Sequence, residues 1–465
     1  MPKAFSKLIP PSLYEMHELQ RAGFVKLVLE GLATGTVSGF VIGLFRISYS
    51  FVNSTLGTLF VQHSATPQGI ACTAGFLLFC LACAWFCLHR EPLISGSGIP
   101  HVELVLRGRL PMPWFRVLWT KFFGTLASLS GGLAVGREGP CIQMGAAIGC
   151  GVGCVWHDDH LRPRFLVGGS TAGMAAAFGA PLAGMFFAFE ELRTLVTIPM
   201  LLFTSLAALG AWFMVDVVLQ LGLVFPLADT EARLALLWLA PLAGLACGLL
   251  AWLYNRLLVW LALAMDRTGM RQPWRMLWSF VLSGILLYLY PTVMTGLGPG
   301  ISQLASGMYP LRFLLLLWAV KLAFNFISFS SGVSGGILMP MLLAGGLTGA
   351  LLSALLPALG CPGNFAAHLV ILCMGALFAG TVRAPLTGAF LVTEMTGAWT
   401  LLPAVAAASF IASLLASALK SVPVYDSLRT RQWGLYCKAH GLDPSAPPES
   451  SCGASPGQAA QQAKP

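Results

Sequence analysis

Arg137 and Glu138 stand side by side in "SGGLAVGREGPCIQMG" (130–145), inside a stretch that otherwise reads as membrane. Toward the N-terminus only Lys121 interrupts the apolar run that begins after Arg116; toward the C-terminus the next formal charge is Asp158. A charge at bilayer depth is costly unless it faces a polar cavity or a partner. The pair therefore marks either a structural ion pair or a site where charge does work. Its setting suggests which chemistry. Three Gly-rich turns each lead into an apolar segment with a proline near its start: "SGSGIPHVE" (95–103), "GREGPCIQ" (136–143) and "SGVSGGILMP" (331–340). Glycine permits close backbone approach, and proline suits a first helical turn. A helix that opens this way presents unpaired N–H groups and the positive end of its dipole, which favour an anion. The plainer reading of any one turn is a glycine-packed helix start.

These turns must be held by membrane helices. Only 10% of the 465 residues are Asp, Glu, Lys or Arg, while 57% are apolar, with 51 glycines besides. Formal charge is absent from 194–215, 234–255, 276–311, 322–382 and 395–419. Each window can supply the roughly 20 apolar residues of a membrane-crossing helix. The chain reads as an all-α polytopic membrane protein, and its 29 prolines and many glycines predict short, tilted or broken helices. The first residues, "MPKAFSKLIPPSLYEMHELQ", lack the early apolar core of a cleavable signal. Cys80, Cys83 and Cys87 share one helical face with no His or carboxylate between them, which points to helix packing rather than metal binding. No metal, nucleotide or other cofactor site is expected.

The net charge of +9 reads as orientation rather than as a nucleic-acid surface. Lys3, Lys7, Arg21 and Lys26 lie near one end, and Lys420, Arg429, Arg431 and Lys438 near the other, so both termini are expected in the cytoplasm. The middle connection (221–234) is acidic through Asp229 and Glu231 and is expected outside. Two halves that each cross an odd number of times form an inverted repeat. Residue matches agree. At an offset of 200, Lys121, Ser130, Gly132, Pro140, Gly145 and Gly149 find Lys321, Ser330, Gly332, Pro340, Gly345 and Gly349. "GAPLAGMFFAFEEL" (179–192) aligns with "RAPLTGAFLVTEM" (383–395) and sets Glu190 opposite Glu394. Duplicated transporters place their ligand near the midplane, where broken helices of both repeats point inward.

The three turns, in this order and spacing, together with "APLAGMFFAFEEL", "RAPLTGAFLVTEMTG" and "VPVYDSLRTRQ" (422–432), resemble the signature segments of the CLC family of chloride channels and chloride/proton antiporters. The resemblance runs from about residue 25 to 432. It implies a membrane domain of about 17–18 short helices, with repeat halves at about 25–220 and 235–432. Residues 1–24 would form a cytoplasmic segment and 433–465 a disordered cytoplasmic tail, too short for regulatory domains. It also implies a homodimer in the cell inner membrane, and the apolar faces of 194–215 and 401–419 are candidates for its interface.

The resemblance further implies roles. Chloride would be held by the hydroxyls of Ser97 and Tyr425 and by the N–H groups of Ile337 and Leu338. The backbone of Arg137 and Gly139 would line an outer anion site, and the Arg137 guanidinium would pair with an acid. Glu138 would be the gate, filling an anion position when ionised and swinging away when protonated. Glu191 would relay protons from the cytoplasmic side. Glu190 has a repeat counterpart in Glu394 and reads as scaffold, whereas Glu191 aligns with Met395, so the duplicated fold does not itself require a charge there. Two glutamates favour exchange of chloride for protons over a passive channel, the alternative within the family. Ser97 fits chloride rather than nitrate.

Two residues depart from the pattern. His101 stands where the bacterial antiporters usually carry an acid; it is either a solvated or helix-stabilising side chain or an added titratable group near the vestibule. Ser334 stands where the third motif usually has proline, and could loosen the turn that presents Ile337 and Leu338. A rival from another class remains: "GVSG" (332–335) is also the nucleophile pattern of rhomboid intramembrane proteases, and Ser334 with His368 would make an enzyme.

Overall fold

The computed structural model describes residues 21–63, 66–156, 162–194, 196–227, 237–289, 300–361 and 363–443. Lys3, Lys7, Asp229, Glu231 and the tail from 444 lie outside the described residues. The first half contains α1 (Arg21–His63), α2 (Pro67–Arg90), α3 (Ile99–Leu106), α4 (Trp114–Ser130), α5 (Glu138–Val155), α6 (Arg162–Phe178), α7 (Pro181–Glu190) and α8 (Ile198–Trp212). The second contains α9 (Leu239–Arg267), α10 (Gln272–Leu289), α11 (Ile301–Ala305), α12 (Leu311–Ser330), α13 (Leu338–Leu355), α14 (Ala366–Val382), α15 (Pro385–Thr396), α16 (Leu402–Ala418) and α17 (Val424–His440). The described residues are all-helical: they form 17 α-helices, of which α1, α2, α9, α12, α16 and the extended forms of α8 and α13 are long and apolar enough to cross a membrane. The other described helices are shorter or less apolar, such as α7, at 10 residues.

The repeat is visible helix by helix. α4 to α8 follow one another as α12 to α16 do, and equivalent residues fall at equivalent places: Glu138 opens α5 and Leu338 opens α13. α5 packs on α6, and α13 on α14, along the same stripe of glycines. A methyl on Gly145 would run into the Gly169 carbonyl, and one on Gly345 would lie 2.6 Å from the Cys373 carbonyl oxygen. Small residues let the backbones touch, which is how apolar helices gain packing where no water drives them together.

The halves are tied across their junction by acids. The Glu190 carboxylate, at the end of α7, accepts from Leu386 N (3.1 Å), Thr387 N (2.7 Å) and the Thr387 hydroxyl (2.8 Å) at the start of α15. Glu394, near the end of α15, accepts in return from Leu182 N (3.1 Å) and Ala183 N (2.8 Å) at the start of α7. Phe186 and Phe390, an equivalent pair, stack at 4.7 Å between them. Each acid thus caps the positive end of the other repeat's helix. The scaffold role expected of Glu190 takes this form.

Candidate anion site

The three Gly-rich turns meet at the centre of the bundle through backbone hydrogen bonds. Gly96 N donates to Val333 O (2.9 Å) and Gly335 N to Gly96 O (3.1 Å). Gly136 and Gly336, repeat equivalents, exchange bonds of 2.6 and 2.7 Å in an antiparallel bridge. The bridges bring together the starts of α3, α5 and α13, whose N-caps are Gly98, Arg137 and Ile337. None of these three has a side-chain cap, whereas the hydroxyls of Thr66 and Thr197 cap α2 and α8. The first-turn N–H groups of α3, α5 and α13 are therefore left for something other than a local side chain.

Three polar side chains enter this junction without a hydrogen-bond partner among the described residues. Ser97, 2% exposed, directly precedes α3; Tyr425, 1% exposed, is the second residue of α17. Neither hydroxyl has a hydrogen-bond partner, although the two lie beside each other. Glu138 is wholly buried, and its carboxylate faces the N–H groups of Arg137, Met339 and its own residue without completing a hydrogen bond to any. Buried polar atoms are almost always paired, so two orphaned hydroxyls beside uncapped helix starts describe a site that takes a hydrogen-bonding guest, with the Glu138 carboxylate lodged among the same amides. The guest must accept from hydroxyls and amides, which an anion does.

Two glycines set the spacing. A methyl on Gly136 would sit 2.5 Å from Glu138 Oε2 and 3.0 Å from Met339 N, and one on Gly139 would lie 2.6 Å from the Ser97 carbonyl oxygen. The carboxylate and Ser97 thus press on the same short turn. Gly139 N faces the Gly336 position, and Ile337 and Leu338 are completely buried beside it. Arg137 Nε is 3.6 Å from Glu138 Oε1, an ion pair too long for a hydrogen bond, and its guanidinium lies over the Tyr49 ring at 5.9 Å. Ser97, Arg137, Glu138, Gly139, Ile337, Leu338 and Tyr425 all gather here.

Glu191 does not. It follows α7, 5% exposed, and its carboxylate makes no hydrogen bond or ion pair among the described residues. Around it stand Glu103, Arg193, Asp426 and Arg429. Arg429 bonds Glu103 and Asp426, and Arg193 bonds Asp426. Burial works against the charge on Arg429, but its bond to Glu103 and the charge of Asp426 raise its pKa overall.

Sequence reasoning missed the parts whose partners are distant. Lys121 Nζ, fully buried, donates to Ile94 O and Gly96 O at 2.8 Å each and so braces the turn that carries Ser97. Its one signal was being the sole charge in its run. Asn325 donates to Ala134 O (2.7 Å) and fixes the turn before Arg137. Of the two departures, His101 takes the helix-stabilising alternative and Ser334 resolves against its expectation. His101 is neither solvated nor in an open vestibule: it is wholly buried, with Nε2 3.1 Å from Pro111 O and Nδ1 2.8 Å from Gln143 Nε2. Gln143 can only donate from that nitrogen, so His101 carries its proton on Nε2 and joins α3 to α5. The Ser334 hydroxyl lies 2.8 Å from Thr125 Oγ1, which ties the third turn to α4 rather than loosening it. That bond leaves Ser334 paired with a threonine, not with His368 as a protease dyad requires.

Residues 77–417 match the family model described as "Voltage gated chloride channel". An H(+)/Cl(-) exchange transporter ClcA of Vibrio parahaemolyticus serotype O3:K6 (strain RIMD 2210633) is 34% identical over 420 residues, covering 85% of this chain and 88% of its own. The protein of the same name from Cronobacter sakazakii (strain ATCC BAA-894) is 32% identical over 428 residues, covering 87% and 89%. The crystal structure of a slow cyanobacterial Cl-/H+ antiporter is similar with a TM-score of 0.78 at 27% identity, over 87% of this chain and 97% of that one.

Proposed function

Because the chain belongs to the CLC family of chloride channels and chloride/proton antiporters, we propose that it is a secondary transporter exchanging chloride for protons. The observation that carries the reading is Glu138: a proton-binding group lodged, unbonded, among the amides that an anion would otherwise use. Chloride is held by the hydroxyls of Ser97 and Tyr425 and by the N–H groups of Ile337 and Leu338, with no full positive charge in contact that would slow its release. The ionised Glu138 carboxylate competes for the donors at Arg137, Gly139 and Met339, because two negative charges cannot share one set of N–H groups. With a proton on Glu138 the repulsion is gone, the side chain can swing out and an anion can take the position. Proton and chloride occupancy thereby exclude each other at one place.

Protons reach this gate from Glu191, whose buried and unpaired carboxylate supports a relay rather than a structural ion pair. We place both termini in the cytoplasm, the membrane domain at about residues 25–432 with its halves at about 25–220 and 235–432, and the protein in the inner membrane. We propose a homodimer, for which the lipid-facing side chains Leu201 and Leu209 on α8 and Phe410 and Leu414 on α16 offer an apolar surface. The curated relatives are transporters, and the reaction requires no covalent chemistry. The test is uphill proton movement in proteoliposomes under a chloride gradient with the voltage unclamped. Chloride-driven proton pumping, lost in Glu191→Gln while chloride flux persists, is the expected result. Chloride flux with no proton movement in the unmodified protein would replace the exchanger with a channel.

A further inference from the structure

We propose that Arg193 is a positioning residue that couples the protonation of Glu191 to the seating of Tyr425; the proposal rests on the exchange reading. Arg193 lies two residues after Glu191 and holds a left-handed backbone, φ 51°, where α7 gives way to a turn. Glycine or asparagine is the usual occupant of such a helix end. An arginine accepts the strained conformation here, and its Nη2 reaches Asp426 Oδ2 at 2.8 Å. Asp426 follows Tyr425 in the first turn of α17. One ion pair therefore joins the turn that carries the buried carboxylate to the helix that presents the anion-facing hydroxyl.

The charges around Glu191 give this pair a direction. On α3 stands Glu103 and, at the helix's C-cap 3.9 Å away, Arg107; on α17 stand Asp426 and Arg429, the latter 2.8 Å from Asp426; beside Glu191 itself stands Arg193. An ionised Glu191 attracts Arg193 and repels Asp426, so it works against their contact. A proton on Glu191 removes both forces, and the Arg193–Asp426 pair tightens and draws in the start of α17 with Tyr425. By linkage, an anion that seats Tyr425 favours the proton on Glu191 to the same degree. Arg193 is 48% exposed, so the pair is weak enough to respond to one neighbouring charge rather than being locked.

The test separates the guanidinium from the backbone turn it sits on. Glycine adopts φ 51° without strain, so Arg193→Gly keeps the turn and removes only the tether. In proteoliposomes carrying the full chain, protons moved per chloride should fall about threefold or more, the scale of a half-exposed ion pair, while chloride flux persists. Asp426→Asn should do the same from the other side, and Arg193→Lys should retain most of the coupling. An unchanged ratio in Arg193→Gly or in Asp426→Asn would overturn the proposal, as would an Arg193→Lys as uncoupled as the glycine variant. Wild-type protein that moves chloride but no protons would instead overturn the exchange reading, and this coupling with it.

Discussion

Replacing Tyr425 by phenylalanine should change the sign of its effect on stability according to whether chloride is present. The Tyr425 side chain is enclosed, 1% exposed, and its hydroxyl has no hydrogen-bond partner among the described residues. Without an anion this is a buried polar group left unpaired, a loss of about 1–3 kcal/mol, of which a trapped water offsets a part. Removing the hydroxyl should then leave the chloride-free protein unchanged or more stable by about 1 kcal/mol. With chloride bound, the same hydroxyl donates to a charged acceptor, worth about 1.5–3 kcal/mol, which phenylalanine forgoes. Since about 1.4 kcal/mol is a factor of ten, the chloride Kd should weaken about tenfold or more. The assay is thermal unfolding of purified protein in gluconate, then with increasing chloride. Tyr425→Phe should melt at or above the wild type in gluconate and fall below it as chloride rises, because a bound ligand stabilises the folded state as the logarithm of one plus its concentration over its Kd. A variant that melted lower by the same margin in both conditions would show that the hydroxyl is engaged inside the protein, and the assignment of Tyr425 to the anion would fail.

The geometry carries two more outcomes. Gly139→Ala puts a methyl 2.6 Å from the Ser97 carbonyl oxygen and against its hydroxyl; overpacking of about 1–3 kcal/mol falls on the turn that presents Ser97, so calorimetry should report chloride binding weakened by roughly tenfold. Binding as tight as wild type would mean that Ser97 can move without consequence. Glu394→Ala strands Leu182 N and Ala183 N, and Glu190→Ala strands three donors at the start of α15. At about 1.5–3 kcal/mol for each bond to a charged group, both should lower the unfolding free energy by about 3 kcal/mol or more, the Glu190 variant at least as much as the other. Wild-type denaturation midpoints in both would refute the reciprocal caps.

The duplication was legible because offsets of 200 and 204 are a property of the chain, and the helices that share them occupy equivalent places. The glycine turns were legible as the place where helix starts converge, and their backbones do bond to one another; the roles of Ser97, Tyr425 and Glu138 came from the resemblance and stand as proposals. Helix count was legible through the resemblance, which implied about 17–18 against the 17 α-helices described, but not from the charge-free windows. The charge-free window 322–382 holds the end of α12, all of α13 and all of α14, because absence of charge reports depth and says nothing of where a turn divides the run. The solvated and vestibule alternatives for His101 and the loosened turn at Ser334 failed for a common reason. A polar residue on an apolar segment suggests water or function, but each here is satisfied by a partner far along the chain: Gln143 in α5 for His101, and Thr125, 209 residues from Ser334. Lys121 is the same case, a cation whose partners are the carbonyl groups of Ile94 and Gly96 rather than an acid.

The exchange of caps between α7 and α15 bears on how such a chain is made. Glu190 meets its donors 196 and 197 residues later, and the amides at the start of α7 wait for an acid more than 200 residues downstream. While the ribosome is still translating the second half, the first sits in the bilayer with a carboxylate and two amides unanswered, where lipid offers neither with a substitute. The early half is held open until the late half arrives, and separately expressed halves should complement each other while neither persists alone.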